Sequence, residues 1–229
     1  MNLFKQLEKQ LIVSCQALED EPLHSSEIMG RMAIAAQQGG ANGIRANSVV
    51  DIRAIKKEVD LPIIGIIKQD YDDSDVFITP TLKEIKALLA VGVDMIATDA
   101  TDRARPKGEE LTEIIDYVRI YGPNVKLMAD VSTIQEAVAA EKLGFDCVST
   151  TLVGYTKQSE GMDISHDNFK ILKDMVQAVS IPVIAEGKID TPEKATQALK
   201  NGAHFIVVGG AITRPQLITQ TFADAVKGI

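Results

Sequence analysis

Short apolar runs rich in β-branched residues alternate with stretches of helical periodicity along the whole chain, and this alternation leaves few folds open. The runs cover residues 11–15, 43–46, 62–67, 95–98, 126–129, 147–151, 182–185 and 205–208, eight in all. The helical patterns span 26–37, 48–59, 81–90, 109–121, 133–143, 167–179, 191–200 and 215–226. Gly92, Gly144 and Gly202 stand where helices end and strands begin, as C-terminal caps. Leu61-Pro62 and Ile181-Pro182 open strands, where proline is tolerated. Thr81, Thr133 and Thr191 are candidate N-caps, and Glu84 and Glu136 complete capping boxes with the first two.

Eight β/α units within 229 residues predict an α/β chain closed into a single (β/α)8 TIM barrel, one catalytic domain over 1–229. An open doubly wound sheet is the alternative. Its Gly-rich dinucleotide fingerprint is missing after the first strand, which reads Ser14-Cys15-Gln16-Ala17-Leu18. Trp is absent and aromatics make up 4%, so the core must rest on Ile, Val, Leu and Ala, as parallel strands covered by helices require. The irregular stretches 69–79, 99–108 and 153–165 follow strands three, four and six. In a barrel they open onto the C-terminal face, where active sites lie.

Strands buried on both sides should be apolar throughout, yet several end on polar residues. These are Gln16, Arg45, Lys68, Asp130 and Glu186, after strands one, two, three, five and seven. Alternation puts Lys68 on the side of Ile64 and Ile66, Glu186 with Ile184, Asp130 with Met128, and Gln16 with Ser14. One inward layer at the barrel mouth can collect all five. A charged rim explains any one of them, but five directly after apolar runs point to function. Lys68 and Glu186 form an acid–base pair suited to removing a proton from carbon and returning it. A buried Lys–Glu ion pair is the structural alternative. Glu186-Gly187-Lys188 after strand seven and Val208-Gly209-Gly210-Ala211 after strand eight suit phosphate binding by backbone amides and a helix start.

Other function classes find little support. The net charge is −8 with no basic–aromatic patch, which argues against nucleic acid. His24, His166 and His204 lie apart from one another, so no metal centre built on histidine is expected, and no cofactor. Gly-x-Ser-x-Gly and a Cys–His pair are both absent. Cys15 and Cys147 read as small buried hydrophobes of a reducing compartment. Residues 1–10 are polar and charged, unlike a signal peptide, and no run approaches a membrane span. A cytoplasmic protein without membrane partners is expected.

With Arg45-Ala46-Asn47, Ile67-Lys68-Gln69-Asp70-Tyr71, Ile78-Thr79-Pro80-Thr81, Thr98-Asp99-Ala100-Thr101, Met128-Ala129-Asp130, Gly154-Tyr155-Thr156, Ala185-Glu186-Gly187 and the run from Val208 to Pro215 in view, the sequence closely resembles the bacterial N-acetylmannosamine-6-phosphate 2-epimerase family. The resemblance spans strand one to the last helix. It implies metal-free interconversion of N-acetylmannosamine 6-phosphate and N-acetylglucosamine 6-phosphate in sialic acid catabolism. It implies Lys68 and Glu186 as catalytic residues, and Gln16, Arg45, Asp130, Tyr155 and Arg214 as substrate contacts. It further implies Gly187, Gly209 and Gly210 as phosphate loops, with the role of Lys188 open. The proton to be moved is α to a carbonyl in the open-chain sugar, and its loss gives an enolate that Arg45, Arg214 or Lys68 can stabilise. Which of Lys68 and Glu186 removes the proton stays open. A Schiff-base lyase using Lys68 and a non-catalytic sugar-phosphate sensor are the competing classes. A homodimer is expected from the general habit of barrel enzymes.

Overall fold

In the computed structural model, which describes residues 2–227, all eight predicted runs form strands: β1 (Leu11–Cys15), β2 (Gly43–Asn47), β3 (Ile63–Ile66), β4 (Met95–Asp99), β5 (Lys126–Asp130), β6 (Cys147–Ser149), β7 (Val183–Glu186) and β8 (Ile206–Val208). Each pairs in parallel with its neighbours in sequence order, and β8 returns to β1 to close the barrel. The helices are α1 (Leu3–Leu7), α2 (Ser26–Gln38), α3 (Val49–Glu58), α4 (Leu82–Val91), α5 (Leu111–Tyr121), α6 (Ile134–Leu143), α7 (His166–Ala178), α8 (Pro192–Lys200), α9 (Gly210–Thr213) and α10 (Pro215–Lys227). This is the (β/α)8 TIM barrel. None of these helices is long and apolar enough to cross a membrane.

The local signals act through identifiable bonds. Both predicted capping boxes form, with Glu84 accepting from the Thr81 N–H and Glu136 from the Thr133 N–H. Thr191 caps α8. Gly92 and Gly144 end α4 and α6 in the left-handed region. Pro62 and Pro182 fall just outside β3 and β7, yet their carbonyls accept ladder bonds from Ile44 and Val148. Proline thus contributes an acceptor where no donor is needed. β6 is shorter than expected, because residues 150–152 coil into a 3₁₀ turn. Residues 167–169 of α7 take positive φ before the right-handed helix begins, and Phe169 is buried there.

Strand alternation divides the core in two. Ala33, Ile52, Ile85, Ile114, Ala137 and Leu172 belong to the layer between strands and helices. Ile12, Ile64, Ile66, Met95, Ala97, Met128, Cys147, Ile184 and Val207 fill the barrel interior. Cys15 and Cys147 are free and buried. Residues 1–10 read as polar and charged, with no sign of α1. Its Leu7 is fully buried in the interior cluster, with Leu3 and Phe4 packed against it. The bond between Phe4 O and His204 Nε2 fixes α1 at the N-terminal end of the barrel. Leu7→Ala should therefore lower stability by about 2–5 kcal/mol in urea unfolding and leave kcat unchanged, since the cavity removes packing at the end away from the polar mouth.

Candidate active site

The barrel interior turns polar at the C-terminal ends of the strands. Arg45, from β2, is 1% exposed and reaches across the barrel to β5 and β7. Its Nη2 lies 2.6 Å from Asp130 Oδ2, and its Nη1 lies 3.2 Å from Asp130 Oδ1 and 2.8 Å from Glu186 Oε2. The Thr151 hydroxyl donates to Asp130 Oδ1 at 2.7 Å. Asp130 is fully buried, saturated by these partners and absent from the cavity wall. The family resemblance implies it as a substrate contact; here it serves as the counter-charge of Arg45.

Glu186 is 13% exposed and lines the cavity. Burial pushes its carboxyl up to about 7; Arg45 opposes that shift and Asp130 adds to it. One guanidinium faces two carboxylates, and Asp130 holds it through two bonds, so Arg45 offsets the burial of Glu186 only in part. The end of β7 is clamped by Thr150, whose hydroxyl accepts from Glu186 N–H at 3.0 Å and donates to Glu186 O at 2.7 Å.

Lys68 stands two residues beyond β3, in an isolated antiparallel bridge with Ile78. Its ammonium makes no ion pair and no side-chain hydrogen bond among the described residues, so the Lys–Glu ion pair considered above does not form. Burial is the main force lowering its pKa to about 8; Arg45 and Arg214 add to this, while Glu186 and Glu21 oppose it. β3 and β7 are four strands apart in the ring of eight, so Lys68 and Glu186 stand on opposite sides of the mouth.

Between them opens a cavity of about 420 Å³ lined by Ser14, Gln16, Arg45, Lys68, Phe77, Thr151, Tyr155, Glu186 and Arg214, and by the loops of residues 187–190 and 209–211. All the predicted site residues except Asp130 line it. Gln16 donates to Ser14 Oγ at 2.7 Å. Gly187 takes φ +97°, a conformation glycine tolerates, as β7 turns out into its loop. Gly210 and Ala211 begin α9, so their amides have no helical acceptor. The Lys188 ammonium is turned toward the neighbouring loop, 2.9 Å from Met162 O and 5.6 Å from the centre of the Tyr155 ring. Arg214 is held by Glu21, with its Nη2 3.0 Å from Oε2.

The sequence reading missed Thr151 and Glu21. A trace of Thr151 was present, a polar pair directly after strand six. Glu21 sits in the loop after β1 and carries no signal short of the folded contact, 193 residues from its partner. Asp130→Asn should lower stability by about 3 kcal/mol in urea unfolding, because it leaves the buried Arg45 charge with Glu186 as its one carboxylate. It should also lower the Glu186 pKa, readable by carboxyl-carbon NMR, since the Asp130 charge helps to raise it.

Residues 29–228 match the family model described as "Putative N-acetylmannosamine-6-phosphate epimerase". A relative from Shouchella clausii (strain KSM-K16), named "Putative N-acetylmannosamine-6-phosphate 2-epimerase", is 60% identical over 98% of this chain and 99% of its own. One of the same name from Enterobacter sp. (strain 638) is 58% identical over 96% of this chain and 94% of its own. The solved structure of the N-acetylmannosamine-6-phosphate 2-epimerase from Clostridium perfringens superposes with a TM-score of 0.94 at 56% identity, covering 98% of this chain and 96% of that one.

Proposed function

The chain belongs to the N-acetylmannosamine-6-phosphate epimerase family, and we propose that its barrel mouth interconverts N-acetylmannosamine 6-phosphate and N-acetylglucosamine 6-phosphate by moving the proton on C2. The observation that carries the reaction is the pair Lys68 and Glu186, opposed across the cavity with pKa values drawn to about 8 and about 7. A Schiff-base lyase and a non-catalytic sensor are not favoured, since the relatives are named as epimerases.

In the proposed reaction the phosphate rests on the backbone of Gly187, Gly209 and Gly210, with Lys188 beside it. Gln16, Tyr155 and Arg214 hold the sugar. The neutral Lys68 amine removes the C2 proton of the open-chain aldehyde and becomes ammonium. The resulting enolate oxygen faces the positive charge of Arg45 and Arg214. The protonated Glu186 carboxyl delivers its proton to the opposite face of C2 and becomes carboxylate. That end state, ammonium and carboxylate, is the one the reverse direction needs. No metal ion or cofactor enters these steps. The place in sialic acid catabolism and the cytoplasmic location belong to the same proposal. A charged phosphate ester does not cross a membrane unaided, which supports an enzyme on the inner side.

Lys68→Ala should fold, retain substrate binding by calorimetry and lose turnover by at least ~10²–10⁴-fold. Glu186→Gln should behave alike, and the double variant should add little, as for groups acting as a unit. In deuterated water, proton NMR of the wild type should show deuterium entering C2. Near-normal turnover of Lys68→Ala with a lowered Tm would sink the assignment. The pH dependence of kcat/KM should be bell-shaped. Neutral Lys68 accumulates as pH rises through about 8, and protonated Glu186 disappears as pH rises through about 7.

The homodimer is also part of this reading. No residue of α10 is buried, and its Phe222 and Val226, one turn apart on the same side of the helix, are exposed, an apolar face that a second copy could cover. Light scattering should give twice the chain mass for the wild type, and Phe222→Glu should shift it toward the monomer. A monomeric wild type would remove this part of the proposal.

A further inference from the structure

Arg105 is 7% exposed, does not line the cavity and forms no ion pair among the described residues. Buried guanidinium groups ordinarily face a carboxylate. This one faces backbone. Its Nε donates to Pro80 O at 3.0 Å, and its Nη2 donates to Thr79 O at 3.0 Å and to Thr98 Oγ1 at 2.9 Å. Its Nη1 donates to Asp99 O. A charge committed to main-chain acceptors holds a piece of chain in place, so the question is what that piece does.

The piece is the segment through which the loop after β3 doubles back on itself. Ile78 bridges Lys68 in antiparallel fashion. Thr79 N–H donates to Ile67 O at 2.7 Å, Ile67 N–H donates to Thr79 Oγ1 at 3.2 Å, and Gln69 N–H donates to Phe77 O at 3.0 Å. Asn47 Oδ1, at the end of β2, accepts from Lys68 N–H at 2.8 Å. The backbone before, at and after Lys68 is therefore held from outside β3. Thr79 itself is fully buried at φ +47°, an unfavourable conformation for a β-branched residue that persists only where its surroundings enforce it. The enforcing groups lie on and after β4. Asp99 N–H donates to Ile78 O at 3.0 Å, the Thr98 hydroxyl donates to Thr79 O at 2.9 Å, and Arg105 grips Thr79 O and Pro80 O.

We propose that Arg105 is a positioning residue for the base: by fixing the carbonyls of Thr79 and Pro80 it fixes the doubled-back segment, and through it the place of Lys68 at the barrel mouth. The inference rests on the reading of Lys68 as the base. Lysine at position 105 would keep the charge but lose the planar fork that reaches these acceptors together.

Arg105→Lys is the test, read by Tm, by kcat and KM separately, and by the pH dependence of kcat/KM. The charges acting on Lys68 are those of Arg45 on β2, Arg214 after β8, Glu186 on β7 and Glu21 after β1. Those nearest Arg105 are Asp99, Glu109 and Glu84. A shift of the Lys68 limb in this charge-conserving variant therefore reports movement of Lys68. The expected result is a kcat lower by roughly ten- to a hundred-fold, as for an ångström-scale misplacement, with KM little changed. The limb belonging to Lys68 should move upward as the amine gains water. A folded Arg105→Lys with wild-type kcat and an unmoved limb, at any Tm, overturns the proposal. Should that variant not fold, Thr98→Val keeps strand shape and charge and removes the hydroxyl shared by Arg105 and Thr79. It should shift the limb the same way with a smaller loss of kcat, and an unmoved limb there overturns the proposal equally. Lys68→Ala run alongside separates the two readings. An inactive Lys68→Ala beside an unaffected Arg105→Lys removes the positioning role alone, whereas an active Lys68→Ala removes the catalytic assignment beneath it.

Discussion

A guanidinium placed inside an apolar barrel has to be neutralised where it lies, and Arg45 imposes that requirement on everything around it. Asp130 meets it with two hydrogen bonds and gives up access to the cavity. Glu186 then joins a cation already matched, and burial, aided by the Asp130 charge, keeps its carboxyl protonated into the neutral range against the pull of Arg45. Lys68, without a carboxylate of its own, is lowered chiefly by burial and further by the same guanidinium. Burial is the main cause of both displacements, raising the acid and lowering the base; Arg45 lowers both, reinforcing the shift of Lys68 and limiting that of Glu186. The electrostatics come first, and the chemistry is what they permit.

Closure of the ring makes that sharing possible. β2 lies three strands from both β5 and β7, and only a closed barrel lets one side chain touch the ends of both. The same closure sets Lys68 against Glu186. The residues that refine the arrangement work through backbone. Thr150 clamps β7, and the doubled-back loop clamps the chain at Lys68. Loops fastened in this way behave as extensions of the strands, and they give the mouth the rigidity that proton transfer over a fixed distance demands.

The fold was legible because alternation of apolar runs with helical patterns is a local property, repeated eight times with caps at Thr81, Thr133 and Thr191. The inward parity of Lys68, Glu186 and Gln16 was legible for the same reason, and these residues do reach the cavity. Pairings were not legible. Arg45 meets Asp130 across 85 residues and Glu186 across 141, and no periodicity encodes which strand end faces which. The parity of Asp130 was legible, but its service as the counter-charge of Arg45 was not. Arg105 fell in a stretch without periodicity, where nothing distinguishes a solvated arginine from one gripping carbonyls. α1 escaped because only Leu3, Phe4 and Leu7 of a polar segment face the barrel, too few to register as a pattern.

That short helix has a kinetic meaning. With Leu7 seated against the interior layers, α1 covers the N-terminal end of the barrel, and the cavity lies at the opposite end, at the mouth. Whatever enters must leave by the same door. For a reaction whose two sides differ only in the configuration of one carbon, each epimer then occupies the room the other needs, and neither can be admitted before its counterpart departs. Traffic is strictly alternating, so a high concentration of either epimer slows conversion of the other by occupying the one entrance, while the direction of net flux is set, as for any catalyst, by the two concentrations relative to their equilibrium.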